Sequence, residues 1–162
     1  ISSIVIPPRC RNCSARKTGE EAVPLTMTMT ELDAFMHAQF PQVAADLAID
    51  TLEEEELVTR LLVGDRHLRP GGTVSGPAMF ALADVSVYLA ILARIGPKAL
   101  TVTTNCSIDF LRKPVSGLDL IARTRILKLG RVLAVGDVLI RSEGDAAPVA
   151  RASLTYSIPP KA

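Results

Sequence analysis

Tryptophan is absent, and aromatic side chains make up only 4% of the 162 residues. That is too few to build the stacking platforms on which single-stranded bases are held. An excess of either charge is missing as well: 18 Lys and Arg against 17 Asp and Glu leave a net +1. Such a chain has no overall field to draw nucleic acid or an anionic membrane surface, so neither is expected as a partner. Cysteine is scarce. Cys10, Cys13 and Cys106 form an odd set without framework spacing, which argues against a disulfide-stapled secreted domain and for a reducing cytoplasm. Cys10 and Cys13 make a C-x-x-C, but no second pair and no nearby His completes a zinc or redox site, so no metal is expected. No internal repeat is present.

What is present suffices for one domain. Hydrophobic residues make up 48% of the chain and charged residues 22%, a globular balance, and this length buries roughly two thirds of the unfolded surface. Residues 1–26 differ from the rest. They lack apolar periodicity, carry Pro7, Pro8 and Pro24, and contain no apolar core of the kind a secretory signal needs. The expected organisation is a disordered extension or misplaced start over 1–26, then a single domain over 27–162. Glu20 and Glu21 weaken a transit-peptide reading.

Within that domain, Thr30 followed by ELDAFMHAQF predicts a short helix with Thr30 as its N-cap and Pro41 as a break or restart. The run Leu57 to Val63 predicts a strand after an acidic solvated turn, and GDRHLRPGGTVSGP a loop. Four further strands are expected at Ala99–Leu111, Leu118–Leu129, Arg131–Ser142 and Ala147–Ile158, joined by short links into an antiparallel meander. In the first of these, alternation puts Val102, Thr104, Cys106, Ile108 and Phe110 on one face and Thr101, Thr103, Asn105 and Ser107 on the other. A sheet with one apolar face needs a cover. The Ser75–Gly96 helix alone is long and apolar enough, so the expected class is α+β, an antiparallel sheet wrapped around one long helix. Asp84, Ser86 and Tyr88 argue against a membrane span for that helix.

Asp84 is the only carboxylate in this helix, and its helical neighbours Phe80, Ala81, Val87 and Tyr88 include no cation. A carboxylate buried without a partner resists ionisation, the tuning that suits a base near neutral pH. The alternative is a carboxylate that faces a solvated groove or merely orders an interface. At the helix start, Ser75 suits the N-cap, Gly76 permits close approach to the backbone and Pro77 fits the first turn. This is either an ordinary helix end or a place where free N–H groups and the helix dipole hold an oxyanion. Eight residues of helix span about 12 Å, so Gly76 and Asp84 of one chain cannot grip one carbonyl. Two antiparallel helices across a two-fold axis can bring one chain's Gly76 to the other's Asp84.

The stretch GTVSGPAMFALADVSVYLA, followed by TVTTNCSIDFLRKP and LKLGRVLAVGDVLIRSEGDAAPVARASLTYSIP, resembles the hotdog-fold acyl-CoA thioesterases of the PaaI and 4-hydroxybenzoyl-CoA thioesterase group, with their G-x-V-H-G-G-x-x-x-x-L-x-D motif. The resemblance covers roughly residues 50–158. It implies a hotdog fold, a homodimer or homotetramer, and hydrolysis of an acyl-CoA to a free acid and coenzyme A at a subunit interface. No cofactor is implied beyond coenzyme A as part of the substrate. The family's carboxylate falls on Asp84 and its backbone donor on Gly76. Ser75 stands where the motif has His, Pro77 where it has the next Gly, and Arg69 at an upstream Asn; Ser75 can offer a hydroxyl in place of the imidazole. Arg112 and Lys113 resemble the cations that hold coenzyme A phosphates, or are solvated strand-end charges; Arg131 is a further candidate. Asn105 is a candidate cleft residue, and His67 is expected in a solvated loop. The alternatives are a non-catalytic acyl-CoA-binding module and, disfavoured by the lack of a His in the motif, a hotdog dehydratase or hydratase.

Overall fold

The computed structural model describes residues 23–160, so Cys10 and Cys13 lie outside the described residues. In chain order the elements are α1 (Met29–Gln39), α2 (Pro41–Ala44), β1 (Leu47–Leu52), β2 (Leu57–Leu61), a small hairpin of β3 (Leu68–Arg69) and β4 (Thr73–Val74), α3 (Gly76–Ile95), β5 (Val102–Phe110), β6 (Leu120–Leu129), β7 (Leu133–Ser142) and β8 (Pro148–Ser157). Six strands form one antiparallel sheet in the order β1-β2-β6-β7-β8-β5. The sheet curls around α3, as the α+β expectation and the resemblance both require.

The long helix begins because Ser75 is extended and its Oγ accepts the Ala78 N–H at 3.3 Å, while Pro77 occupies the first turn. It stops at Gly96, whose φ of 84° only glycine adopts without strain and whose N–H closes on the Leu92 carbonyl. Length and hydropathy alone would let α3 cross a membrane, but here its apolar side, Leu82, Val87, Leu89 and Ile91 among it, packs under the sheet. The approach is close: a Cβ at Gly136 of β7 would stand 2.8 Å from a Val87 methyl. Ser86, buried in this contact, is satisfied by the Leu82 carbonyl at 2.5 Å and the Thr59 hydroxyl at 2.6 Å.

Three expectations need correction. The cap of α1 is Thr28 rather than Thr30: Thr28 Oγ1 accepts the Glu31 N–H while Glu31 Oε2 accepts the Thr28 N–H at 2.8 Å, and that reciprocal box needs a three-residue spacing. Strand β1 was not anticipated; LAIDTL pairs with β2 and adds a sixth strand. The last four strands are not a meander. Strand β6 is flanked by β2 and β7, so it has no free edge for β5, which crosses by the 111–119 link to the open edge of β8. At the N-terminal side, the Thr26 N–H bonds the Ala93 carbonyl at 2.8 Å and Met27 is buried against the core.

Candidate active site

Asp84 sits half-buried midway along α3, on the wall of a cleft of about 350 Å³ lined also by Phe40, Val85, Tyr88, Thr101 and Thr103. It is not without partners. Thr103 Oγ1 donates to Asp84 Oδ1 at 2.6 Å, and the Tyr156 hydroxyl lies 2.7 Å from both Oδ1 and the Asp84 backbone carbonyl, sharing one proton between them. No cation pairs with it among the described residues, and Oδ2 receives no hydrogen bond from them. Burial, the Asp84 charge and the hydrogen bond to it push the Tyr156 phenol well above its ordinary range, so it stays a donor. Burial and the same charge raise the Cys106 thiol.

A bulge delivers Thr103 to this position. Thr103 pairs with Tyr156, but Asn105 pairs with Thr155, so Thr104 is an extra residue in β5. The strict alternation expected for this strand is thereby broken. Thr103, Cys106, Ile108 and Phe110 share the face of the buried Tyr156, Leu154, Ala152 and Ala150, and Val102 and Asn105 turn outward.

At the start of α3 the N–H groups are almost all taken. Ser75 Oγ accepts from Ala78, the Ser75 carbonyl accepts from Met79 at 3.2 Å, and Pro77 has none to give. Gly76 is left as the first-turn donor with no acceptor among the described residues, at the positive end of the helix dipole. The Phe110 ring lies 3.2 Å from where a Cβ at Gly76 would stand, so a side chain there would press on the ring. The Ser75 hydroxyl accepts in its cap and keeps its own proton free to donate. As the spacing required, one chain does not unite Gly76 and Asp84.

The other sequence candidates are dispersed. Asn105 is exposed on the sheet face turned away from Asp84. Arg112 and Lys113 are exposed just beyond Phe110, toward the Gly76 end of α3, whereas Arg131, in the β6–β7 turn, borders a cavity of about 750 Å³ with Arg94, Lys98 and Val132 at the opposite end. Arg69 is exposed in β3. His67 is not the solvated residue expected: its side chain is 11% exposed, Nδ1 accepts the Gly64 N–H at 2.9 Å, and Nε2 therefore carries the proton toward Asp46 Oδ2 at 3.2 Å. Burial, with the charge of Arg66, holds its pKa below the ordinary value. His37 is exposed beside Asp33. Among the described residues no group of three His, Cys, Asp or Glu could hold a metal ion. Sequence reasoning missed Thr103 and Tyr156. A lone carboxylate in an apolar helix signals that some donor must meet it, but which one depends on strand register.

Comparison with known proteins gives a consistent set. The model of the Thioesterase superfamily matches residues 71–149. A candidate thioesterase from a Silicibacter species is 57% identical, with 86% of this chain and 97% of that one covered and a TM-score of 0.81. The phenylacetic acid degradation protein PaaI of Thermus thermophilus, solved as a mutant, is 31% identical over 78% of this chain and 99% of that one, with a TM-score of 0.61. A hypothetical thioesterase of Streptococcus pneumoniae, crystallised with coenzyme A, shares the fold at 21% identity, 83% and 98% coverage and a TM-score of 0.65. A curated relative from Pseudomonas aeruginosa, assigned as an esterase, is 31% identical over 89 residues; the match spans 55% of this chain and 66% of that protein, just under two thirds of its length.

Proposed function

The chain belongs to the thioesterase superfamily, and from that premise we propose that it hydrolyses an acyl-CoA thioester to a free acid and coenzyme A, at a site completed by two copies of the chain in the cytoplasm. The observation that carries this reading is Asp84 itself: a carboxylate on a cleft wall, oriented through Oδ1 by two hydroxyls, with no paired cation and no hydrogen bond to Oδ2 among the described residues. In the reaction, Asp84 of one protomer removes a proton from water and the oxygen attacks the thioester carbon, or the carboxylate attacks directly. The oxyanion is stabilised by the Gly76 N–H of the other protomer, with the Ser75 hydroxyl beside it. When water attacks, collapse breaks the C–S bond and the thiolate leaves with the proton returned from Asp84; when Asp84 attacks, the thiolate leaves an acyl anhydride on Asp84, which water then hydrolyses to the free acid, its proton going to the thiolate.

Strand β5 supports a two-fold pairing. It ends the sheet with an unpaired edge and carries exposed Val102 and Phe110, while Phe80 of α3 and Leu111 are also exposed; such an edge is a template for another strand. Antiparallel pairing of two β5 edges would lay two α3 helices side by side in opposite directions. Arg112 and Lys113, at the Gly76 end, are the preferred candidates for the coenzyme A phosphates, with Arg131 and Asn105 as alternatives. The test is hydrolysis of a panel of acyl-CoAs with detection of free thiol: turnover by the wild-type chain and its loss in Asp84→Asn support the assignment, and undiminished turnover in that variant refutes it. One feature favours a second reading, a non-catalytic acyl-CoA-binding module: Ser75 and Arg69 stand where the resembling motif has His and Asn. Binding without thiol release across the panel would favour that module.

A further inference from the structure

The segment from Leu62 to Gly72 is largely exposed, yet the side chain of His67 within it is only 11% exposed. It borders a small cavity of about 160 Å³ together with Asp46 and with Ala78, Ala81 and Leu82 from the first turns of α3. Four bonds run to this one residue. Its Nδ1 accepts the Gly64 N–H at 2.9 Å, its Nε2–H points to Asp46 Oδ2 at 3.2 Å, and its backbone N–H bonds the Gly64 carbonyl at 2.9 Å. The fourth reaches the helix: the His67 carbonyl accepts the Ser75 N–H at 2.8 Å. Ser75 caps α3, and the peptide unit that follows it carries the Gly76 N–H. An apolar side chain could fill the same space. The imidazole adds direction, because it fixes one end of the loop at Gly64 and Asp46 while its own backbone grips the other end at Ser75. Such bracing matters for a catalytic donor, since a displacement of about 1 Å can cost roughly 10²-fold in rate.

We infer that His67 is a positioning residue for the oxyanion donor: without touching substrate, its neutral ring holds the loop that aims the Gly76 N–H. The inference rests on the thioesterase reading for giving that N–H its task. It also carries a sensitivity to acid. A backbone N–H can only donate, so Nδ1 must stay unprotonated to receive Gly64. The charged groups that face the ring are Asp46, at Nε2, and Arg66, which pairs with the same carboxylate; the other residues lining the cavity are uncharged. Burial and Arg66 keep the ring neutral at neutral pH. As pH falls below the ordinary histidine range, a second proton enters at Nδ1, Gly64 loses its acceptor, and the hold on Ser75 and Gly76 slackens.

Two variants test this. His67→Leu fills the space and makes neither ring bond; His67→Asn offers an oxygen where Nδ1 stood and does not titrate. With an acyl-CoA that the wild type turns over, the leucine variant is expected to lose about tenfold or more in kcat with KM nearly unchanged, because oxyanion stabilisation acts in the transition state. The asparagine variant should keep most of kcat. Asp84 titrates in both wild type and asparagine variant, so the ratio of their rates isolates His67: it should fall as pH drops below about 6.5. Nuclear magnetic resonance supplies a readout that needs no turnover. On acidification the Ser75 and Gly76 amide signals of the wild type should move in step with the His67 ring signals, and those of the asparagine variant should not. Unchanged kcat in His67→Leu, a loss confined to KM, or amide signals that ignore the ring each overturn the inference. If the leucine variant fails to fold, the asparagine variant and the amide titration decide. Absence of thiol release from every acyl-CoA, with the amides following the ring, would sink the thioesterase reading and leave the grip of His67 on the helix start standing.

Discussion

The two faces of the sheet treat carboxylates in opposite ways. On the outer face they are clasped by arginine: Glu56 holds Arg123 at 2.6 Å and Arg125 at 3.2 Å, Asp137 holds Arg151 at 2.8 Å, and Arg60 bridges Asp50 at 3.0 Å and Glu143 at 2.7 Å. On the inner side Asp84 is given hydroxyls alone, from Thr103 and Tyr156. Arginines neutralise a carboxylate and occupy its oxygens; hydroxyls aim it and leave its charge in place. The chain is rich in arginine and yet none lines the cleft among the described residues, which separates a carboxylate that maintains a surface from one available for chemistry.

The contrast is broken most directly at Asp84. Asparagine there keeps the shape and can still accept from Thr103 and Tyr156, so the fold should survive while turnover falls by about 10²–10⁴; free-thiol release by the wild type and the variant measures it. Next in size is Tyr156→Phe, which leaves the Asp84 carbonyl and carboxylate short of a buried donor and should cost about 1–3 kcal/mol in denaturant unfolding. It also removes an alkaline limb. The folded phenol holds its proton far past its ordinary pKa, so the unfolded chain ionises first, and stability present below about pH 10 is lost as pH rises above it. The phenylalanine variant should show a flatter thermal midpoint across that range. On the outer face, Glu56→Gln should cost about 1 kcal/mol or less because its arginines are half or more exposed, shrink further in high salt, and leave turnover unchanged. Asp137→Asn should be smaller still, a few tenths of a kcal/mol by about the same reasoning. If either outer substitution damaged turnover as Asp84→Asn does, the two faces would not differ as argued.

How far these features were legible depends on whether local sequence decides them. Helix α3 could be read to within a residue at each end, because Ser75, Pro77 and Gly96 act on their immediate neighbours. Asp84 stood out because a charge in an apolar helix is conspicuous without any fold. Thr103 was assigned to the wrong face, since alternation cannot reveal that Thr104 is extra; the bulge is set by how β5 registers against β8. The neighbour of β5 was misjudged for a related reason: short links suggest adjacency, but β6 had no open edge left to offer. Tyr156 was invisible as a site residue, since its proximity to Asp84 exists only after β8 has closed over the helix.

That closure order bears on how the protein is made. Strand β5 leaves the ribosome directly after α3, but its partner in the sheet is β8, which follows two intervening strands. Until β8 has been synthesised, β5 has no ladder to join and Asp84 lacks its tyrosine. The emerging chain must therefore hold a greasy rod partly uncovered until the last strand has been made, a long-range dependence that slows folding and exposes it to aggregation and chaperone capture.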